Sequence, residues 1–395
     1  MIKYDLAIVG GCSAGLVAAI NAKRLYPQSK VAVIEKLPRI GKKLLATGNG
    51  KCNITNYNAL DHDYVNKGFA SFAMNAYTPE RIVDFFASMG LLTYADSCGR
   101  VYPMSNMAAS VVDSLRFELK KLGIDVMCDT PVTEIKKNRN GFSINGNVFC
   151  SKIILAAGGK SSAPQGSDGS GYTMAKNFGH RLVPVVPALV QLKVSDFKFA
   201  KASGVRCDAC VKAVVNNHEV ASDTGELQIT AYGISGIPVF QISRYIARAL
   251  YEKKKAFVIV DFMPQMTEDE LLNYFSKRKQ TLKHVDAESF LVGIFNQKLI
   301  PILLWLSGIR SNAKTDTFSK DQLKKLAHQC KYTELFISDT NGFDNAQICA
   351  GGISLNEIDI NTMESCYEKG LYLAGEILDA DGICGGYNLQ WAWAT

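Results

Sequence analysis

A glycine-rich turn between an apolar strand and an Ala-rich helix restricts the fold of this chain more than any other feature. Residues 4–9 (Tyr-Asp-Leu-Ala-Ile-Val) predict a buried strand, residues 13–25 predict a helix, and the turn reads Gly10-Gly11-Cys12-Ser13-Ala14-Gly15. In the dinucleotide fingerprint, the first glycine makes the turn, the second lets the backbone approach a pyrophosphate, and the third allows close helix packing. Cys12 replaces the second glycine, and its side chain is small. The turn therefore predicts a Rossmann-type dinucleotide fold.

A carboxylate stands where this fold binds the ribose of a dinucleotide. Residues 30–35 (Lys-Val-Ala-Val-Ile-Glu) predict the second strand, and Glu35 ends it, twenty residues after Gly15. At that position a carboxylate can bind the ribose hydroxyls. Strand, helix, glycines and acid together indicate cofactor binding, with a plain tight turn as the alternative.

A basic segment with two glycines follows Glu35. Residues 36–56 combine lysine and arginine side chains with Gly48, Gly50 and several amides, which suits a loop along a diphosphate. A glycine-rich surface turn is the alternative interpretation.

The rest of the N-terminal half predicts more α/β structure. Ser105 or Asn106 is expected to cap a helix that runs to about Leu122. Residues 125–157 alternate apolar and polar positions around two turns, which predicts a β-meander that returns to the parallel sheet. It leads into Gly158-Gly159, where a backbone close to a cofactor needs no Cβ.

The C-terminal segment carries a second cofactor signal. An apolar strand ends in Gly375-Glu376, an acidic loop follows, and Gly385-Gly386-Tyr387-Asn388 opens a helix. Such a helix would direct its free N–H groups and positive dipole end at a bound cofactor. We therefore expect the two ends of the chain to hold one ligand.

A long insertion of roughly residues 190–345 separates these two ends. Residues 205–230 predict short strands with a turn at Asn216-Asn217, and residues 257–262 predict another strand, which together indicate a small β-barrel or sandwich. Thr267 and Glu270 have capping-box spacing, and three amphipathic stretches between residues 271 and 307 predict helices. A further helix is predicted over 319–329.

Composition and charge favour a globular protein without a polyanionic partner. The 395 residues are 47% hydrophobic and 21% charged, and the net charge of +7 comes from scattered residues and one triple, Lys253-Lys254-Lys255. This triple is interpreted as a solvated helix end, so no nucleic acid partner is expected. The apolar run over residues 299–309 is too short to span a bilayer, and the N-terminus has no signal-peptide pattern. We expect no membrane association and a cytoplasmic location.

Eleven cysteines are interpreted mainly as small core residues, because the cytosol keeps thiols reduced. Cys207 and Cys210 have the spacing of a redox or zinc pair, but no second pair exists. On a strand, positions i and i+3 also point to opposite faces. No metal site is therefore predicted.

Four motifs give the chain a specific family likeness. They are the glycine turn, the block Leu44-Leu-Ala-Thr-Gly-Asn-Gly-Lys-Cys-Asn-Ile-Thr-Asn56, the run from Gly158 through Gly166-Ser-Asp-Gly-Ser-Gly-Tyr172 to His180, and the segment Ala374 to Trp393. Together they resemble the BaiN-like flavoproteins, bacterial FAD-dependent oxidoreductases that include aminoacetone oxidases and a bile-acid enone reductase and are distantly similar to fumarate reductase flavoprotein subunits. The likeness covers nearly the whole chain.

The resemblance implies an α/β fold with a discontinuous Rossmann-type FAD-binding domain, an inserted β-barrel-like subdomain and a small helical subdomain. The expected bounds are residues 1–190 with 345–395, residues 191–265 with 315–344, and residues 266–314, respectively. It also places Val132 beside the adenine and Glu376 near the ribityl chain. With the motifs, it gives these candidate FAD-binding residues: Gly10, Gly11, Cys12, Ser13, Ala14, Gly15, Glu35, Lys36, Lys43, Leu44, Gly50, Lys51, Cys52, Asn53, Val132, Ala157, Gly158, Gly159, Gly375, Glu376, Gly385, Gly386, Tyr387, Asn388 and Leu389.

Three positions depart from the family pattern. Lys51 stands where arginine is commoner, Ala231 where many members have histidine, and Ile237 where they have proline. The variant segment over residues 233–238 is more similar to the branch that contains the bile-acid enzyme. The resemblance therefore favours a reductase of an activated C=C bond in a small molecule, with NAD(P)H as the electron source and another protein as the alternative donor. An amine oxidase that produces hydrogen peroxide and a non-catalytic flavin-binding regulatory protein are the alternatives.

A reductase of this kind needs a proton donor beside its substrate, and a tyrosine phenol is suitable. Tyr232 is the first candidate, and Tyr102 with Arg100 is the second. For each tyrosine, a core or rim aromatic is the plainer interpretation. The sequence carries no signal for an oligomeric state.

Relatives continue the helix that begins at Asn388 for further turns. We expect the chain printed here to lack a short tail after Thr395, and we expect one or two added helical turns to tighten FAD retention.

Overall fold

The computed structural model describes residues 2–59, 63–195 and 198–395. The chain forms two compact units, one containing the residues up to Pro187 together with Ala346–Thr395, the other Ala188–Asn345. The first unit is thus built from both ends of the chain.

A seven-stranded sheet organises the first unit. Ile2–Val9 lies at its centre and pairs in parallel with Val31–Ile34 on one side and Val148–Leu155 on the other. The first half of Val148–Leu155 also pairs with the antiparallel meander, while its second half pairs in parallel with Leu371–Leu373. The strand Val148–Leu155 therefore lies between the N-terminal strand and the C-terminal strand in one sheet. Six of its strands, in spatial order, are Asp125–Met127, Val31–Ile34, Ile2–Val9, Val148–Leu155, Gly141–Ile144 and Ile135–Asn138. The seventh strand, Leu371–Leu373, pairs with Val148–Leu155.

Helices and short strands complete the first unit. Helix Ser13–Leu25 buries an apolar face that includes Leu16 and Ile20, as the Ala-rich pattern predicted. Its α-helices are Ser13–Leu25, Lys67–Ala76, Pro79–Ala87, Ala108–Lys121, Ser170–Lys176 and Tyr387–Ala394, and its other strands are Thr55–Asn56, Thr93–Ala95, Arg100–Pro103 and Ile348–Ala350, with Val186–Ala188 at the boundary.

The predicted cap of the helix at Ser105 or Asn106 is wrong. The helix begins at Ala108, and Met107 is its N-cap without a side-chain cap. Asn106 adopts a left-handed conformation with φ of 55°, and the Ser105 hydroxyl accepts a 3.3 Å hydrogen bond from the Met107 N–H. These two residues therefore form a turn before the helix instead of starting it.

The second unit contains a closed six-stranded barrel. The insertion forms two long strands, Arg206–Val215 and His218–Ile229, where short strands were predicted, joined at the expected Asn216-Asn217 turn. Both turn residues have positive φ, which asparagine tolerates in tight hairpins. The barrel strands in order are Leu192–Val194, Gly233–Gly236, His218–Ile229, Arg206–Val215, Ala256–Asp261 and Thr333–Thr340.

Helices of the second unit share one hydrophobic cluster with the barrel, for example through Val211 and Phe275. The capping box of Thr267 and Glu270 is present at the predicted helix start. Helix Ile237–Tyr251 was missed, because Gly236 and Pro238 are typical of a turn, although proline is well tolerated in a first helical turn. The α-helices are Ile237–Tyr251, Glu268–Thr281, Ala287–Leu291, Ile300–Leu306 and Lys320–Lys331. The division of the insertion into two subdomains stays a prediction.

Within the described ranges, no helix is long and apolar enough to cross a membrane. The same residues contain no group of three metal-ligating side chains, and His62 lies outside them. All eleven cysteines are free thiols.

Candidate functional site

The glycine turn forms the first wall of the candidate site. Gly10 has a φ of +111°, and a Cβ there would lie 2.3 Å from the carbonyl oxygen of Ala156. The turn therefore presses against the end of the neighbouring strand, just before Ala157 and Gly158. Helix Ser13–Leu25 follows, and no side chain caps its N-terminus. Its first N–H groups are thus left for an anionic ligand.

Glu35 is held in a fixed orientation beside this turn. Its Oε2 accepts a 2.8 Å hydrogen bond from the Gly11 N–H, and its Oε1 accepts one of 2.9 Å from the Leu37 N–H. The residue is 8% exposed. Each carboxylate oxygen keeps a further acceptor position, so Glu35 can still receive hydrogen bonds from ribose hydroxyls.

An ion pair joins the two ends of the chain. Lys43 Nζ lies 2.7 Å from Glu376 Oε2 and donates a 2.7 Å hydrogen bond to the Ser161 hydroxyl. Glu376 Oε1 accepts hydrogen bonds from the Ser161 hydroxyl and the Cys349 N–H, each 3.0 Å long. Both charged groups of the pair are largely shielded from water.

Ser161 and Cys349 were missed as members of this network. Ser161 follows Gly159 by two residues, and Cys349 precedes the glycines at 351 and 352. A polar or thiol residue beside a glycine run, where the backbone can approach a ligand, is the signal that could have found them.

The block of residues 44–56 folds into tight turns and then a short strand. Cys52 has a φ of 59° and is fully buried, and this burial raises the pKa of its thiol to about 12. A protonated, enclosed thiol is a poor nucleophile. Cys52 therefore acts as a small core residue of this loop, as most of the cysteines were interpreted.

The C-terminal helix lies against this block. Gly386 has a φ of +105°, and a Cβ there would lie 2.7 Å from the Thr55 carbonyl oxygen and 2.9 Å from Asn53 Oδ1. Asn56 Nδ2 also donates a 3.0 Å hydrogen bond to the Gly385 carbonyl oxygen. The start of helix Tyr387–Ala394 has no side-chain cap. The first N–H groups of this helix, which no side chain caps, therefore lie close to the side chain of Asn53.

Asn53 provides a test of whether a cofactor fits here. Its Oδ1 is buried and has no hydrogen-bond partner within the described part of the chain. A buried acceptor without a donor destabilises a protein by roughly 1–3 kcal/mol. The ring edge of a flavin carries an N–H donor, so a flavin bound beside Asn53 would satisfy this oxygen. The residues present therefore fit the predicted cofactor.

Lys36 is engaged with a neighbouring loop. Its Nζ lies 2.7 Å from Asp168 Oδ2, an ion pair that is partly open to water. Partial burial alone would raise the pKa of Asp168, but hydrogen bonds from Lys36 and Ser170 outweigh it and lower the pKa to about 2. Asp168 is therefore a permanent anion beside the predicted diphosphate loop.

The other candidate residues lie on the same unit. Leu44 and Ala14 are buried, whereas Lys51 is exposed. Val132 lies between the strands Asp125–Met127 and Ile135–Asn138 and packs against a core cluster of the sheet. Gly375, Asn388 and Leu389 lie on the C-terminal segment, where Asn388 Nδ2 donates to the Gly382 carbonyl oxygen.

The two candidate proton donors lie in different units. Tyr102 and Arg100 belong to the first unit, on a strand paired with Thr55–Asn56, and the Tyr102 ring lies 3.7 Å from the Cβ position of Gly48. Burial raises the pKa of the Tyr102 phenol, and a hydrogen bond from Arg100 opposes part of this rise. Tyr232 belongs to the second unit, and its ring is exposed.

His180 has a structural environment. Its Nε2 is 2.7 Å from the Ser365 hydroxyl, its Nδ1 is 3.3 Å from Glu357, and burial lowers its pKa. His180 thus connects the segment after helix Ser170–Lys176 to residues 357 and 365 of the first unit.

Residues 4–395 match the family described as the HI0933-like protein Rossmann domain. The chain belongs to this family. It is 49% identical over 396 aligned residues to a 3-dehydro-bile acid delta(4,6)-reductase of Clostridium scindens, an alignment that covers 99% of this chain and 96% of the relative. It is 30% identical to a ribosomal RNA dihydrouridine synthase of Haemophilus influenzae, covering 98% of this chain and 95% of that one.

A solved structure shows the same fold at low identity. The 3-ketosteroid delta1-dehydrogenase of Sterolibacterium denitrificans superposes with a TM-score of 0.52 and 13% identity, covering 100% of this chain and 99% of the other. Together with the family match, this confirms the predicted Rossmann-type α/β fold. The family match and the reductase relative confirm the predicted family and the class of oxidoreductase enzymes, and they support FAD as the cofactor.

Proposed function

We propose that this chain is an FAD-dependent reductase that adds hydrogen across a C=C bond conjugated to a ketone, with a bile-acid-like 3-oxo steroid as substrate. The observation that carries this proposal is the 49% identity, over 99% of the chain, to a bile-acid reductase. At that level of identity over the full length, a shared fold, cofactor and reaction class are expected. The substrate itself is the finer part of the proposal.

The chain's own residues bind the cofactor along one path. The N–H groups of the glycine turn would hold the pyrophosphate, Glu35 would accept hydrogen bonds from the ribose hydroxyls, and the N-terminus of helix Tyr387–Ala394 would stabilise the flavin. When bound, FAD supplies the hydride, which no side chain can provide. The positive end of the C-terminal helix favours negative charge at that edge.

The protein must also supply a proton. Tyr232 is the proposed donor, with Tyr102 and its partner Arg100 as the second candidate. A tyrosine phenol can act as a general acid and regain its proton from water.

NAD(P)H is the proposed electron source for this chain. The sequence contains one dinucleotide fingerprint, which the FAD site uses, so the nicotinamide is proposed to bind transiently and leave. A cytoplasmic location, where NAD(P)H is supplied, goes with this proposal.

A second candidate function is reduction of uridine in ribosomal RNA. The observation in its favour is the 30% identity to the dihydrouridine synthase of Haemophilus influenzae. The uracil C5=C6 bond is conjugated to a carbonyl, so both candidate substrates require the same addition of hydride and proton. The lower identity makes this the second candidate, and it conflicts with the expectation of no nucleic acid partner.

Product analysis separates these candidates. The FAD-loaded protein is incubated without oxygen with NADH or NADPH and either a 3-oxo-Δ4,6 bile acid or unmodified ribosomal RNA. We expect mass spectrometry to find the bile acid heavier by two hydrogens per reduced bond. Dihydrouridine in the RNA with unchanged bile acid would support the second candidate. A separate incubation with oxygen and a small amine, without nicotinamide, tests the oxidase: hydrogen peroxide there, with neither product above, would contradict both candidates.

A further inference from the structure

A groove runs along one face of helix Ala108–Lys121 in the first unit. Its volume is about 690 Å³, and small-molecule sites in proteins measure roughly 300–1,000 Å³. Residues three or four positions apart share one face of a helix. The helix residues that line the groove have this spacing, and they include Val112, Asp113, Arg116, Phe117 and Lys120. One face of the helix therefore forms the first wall.

The edge of the seven-stranded sheet forms the opposite wall. Ile124, Val126 and Cys128 line the groove, and side chains two positions apart on extended backbone point to one side. The strand Asp125–Met127 is the first in the spatial order of the sheet, so this wall lies at the sheet edge. The loop that contains Arg39 and Ile40 closes the groove on the side of the second strand.

The floor of the groove is apolar and continuous with the hydrophobic core. Ile40, Val112 and Ile124 are buried members of one core cluster. Above them, Phe117 is 72% exposed and Val126 is 39% exposed. An apolar body in the groove would shield both side chains from water, which would stabilise the complex.

Positive charge accompanies this apolar floor. Arg39, Arg116 and Lys120 line the groove together with a single acid, Asp113, whose carboxylate lies 3.1 Å from the Arg116 guanidinium. Across the described part of the chain, neither Arg39 nor Lys120 is in an ion pair. Two cations therefore remain to attract a negative charge, and the groove complements a ligand that combines an apolar body with an anionic group.

We propose that this groove binds a steroid carboxylate, with the ring system on the apolar floor and the carboxylate against the basic side chains. A rigid ring system fits this groove better than a flexible acyl chain. The exposed Phe117 shows that the groove is open on one side, so the available contacts offset little of the entropy that a flexible chain loses on binding.

The groove is a second ligand site on the first unit. None of its lining residues is a candidate FAD-binding residue, although Ile40 packs behind the glycine turn, where its Cγ2 lies 2.7 Å from the Cβ position of Gly11. The proposal goes beyond the proposed function and does not rest on it, because binding in the groove requires no reduction.

Equilibrium dialysis of full-length, FAD-loaded protein with cholate tests the proposal. Cholate has the ring system and the carboxylate but no C=C bond, so the protein cannot consume it. We expect saturable binding of cholate, and weaker binding of both the uncharged methyl ester of cholate and the flexible acid laurate. Ester binding as tight as that of cholate would contradict the role of the basic side chains. Tighter binding of laurate would overturn the choice of a steroid.

Two adjacent lysines provide a matched pair of variants. Lys120→Gln removes a cation that lines the groove, so cholate affinity should fall about two- to fivefold, as for a solvent-exposed ion pair. Lys121 does not line the groove and pairs with Glu118 at 3.1 Å. Lys121→Gln should therefore leave the affinity unchanged. Equal losses in the two variants would mean that net charge, and not the groove, attracts cholate.

A second pair places a negative charge inside or outside the groove. Phe117→Glu removes an apolar contact and repels the carboxylate, so the affinity should fall by about tenfold or more. Leu25 is 74% exposed, close to the 72% of Phe117, and does not line the groove. Leu25→Glu should therefore bind cholate normally. Circular dichroism and flavin content should show that all four variants fold.

The two proposals fail in different ways. Cholate binding that is unchanged in both Lys120→Gln and Phe117→Glu would place the acid elsewhere on the protein and overturn the groove as its site, as would an absence of saturable binding. A protein that binds cholate in the groove but reduces no enone would leave this inference standing and overturn the proposed function.

Discussion

The ammonium of Lys43 lies 2.7 Å from the carboxylate of Glu376, so an ion pair joins residues 333 positions apart in the chain. Their side chains are 17% and 21% exposed, respectively, and Ser161 contacts both of them. The pair fastens the C-terminal segment to the loop that follows the second strand. Because the cofactor is proposed to lie along both segments, the pair links folding of the first unit to FAD binding.

Glu376→Gln is expected to weaken FAD retention and the stability of the first unit. The substitution leaves the Lys43 charge without its partner in a shielded environment, which destabilises by about 1–3 kcal/mol. Fluorescence titration of flavin-free protein with FAD, together with urea unfolding, measures both effects.

Lys42→Met is the control for Lys43→Met. The neighbouring Lys42 donates a 2.8 Å hydrogen bond to the carbonyl oxygen of Pro164, on the surface. Lys43→Met should lower FAD affinity, whereas Lys42→Met should change it by less than about twofold, as for exposed charges generally. Equal losses in the two variants would mean that general charge, not the Lys43–Glu376 pair, holds the cofactor.

Gly386→Ala should abolish tight FAD retention. The added methyl group meets the Thr55 carbonyl oxygen at 2.7 Å, so the start of the C-terminal helix must move away from Asn53. Gly90 supplies a matched comparison, because it also has a positive φ but no atom lies within 4 Å of its Cβ position. Gly90→Ala should cost only the conformational strain, about 1–2 kcal/mol, with FAD bound normally. Flavin content after gel filtration measures the difference, and FAD loss from both variants alike would contradict this account.

The sequence predicts the parts of the site whose geometry is local. Gly10 and Glu35 are recognisable because the turn, the helix start and the end of the second strand follow one another along the chain. Ser161 and Cys349 could not be found in this way, since they meet Glu376 only after the sheet has aligned distant segments. The prediction of a helix cap at Ser105 or Asn106 failed although its signal is local. A suitable cap residue was present, but Asn106 adopts a left-handed turn conformation instead.

Tyr102→Phe should slow steroid reduction by less than about tenfold, because the account assigns the proton to Tyr232, whose loss is expected to cost roughly 100-fold or more. Tyr94→Phe is the matched control. Its ring lies 5.9 Å from that of Tyr102, and its hydroxyl donates to Asn106 at 2.6 Å. Single-turnover rates with reduced protein measure each effect. A loss of 100-fold or more in Tyr102→Phe alone would transfer the donor role to Tyr102 and Arg100.

The reactivity of the cysteines should follow their burial. Burial raises the pKa values of the Cys52, Cys150 and Cys349 thiols to about 12, so they stay protonated at neutral pH. Cys98 and Cys366 are exposed. Brief treatment of the folded protein with iodoacetamide, followed by peptide mass spectrometry, should label the exposed pair first. Early labelling of Cys52 would show that the block of residues 44–56 is more open than described.

FAD held by the two ends of the chain is proposed to transfer hydride to an enone. The most direct test is stopped-flow absorbance in two steps without oxygen, first with NAD(P)H and then with a 3-oxo-Δ4,6 bile acid. We expect the flavin to bleach in the first step and to recover its colour in the second, in proportion to the steroid reduced. A flavin that stays bleached until oxygen is admitted, with the bile acid unchanged, would contradict this proposal.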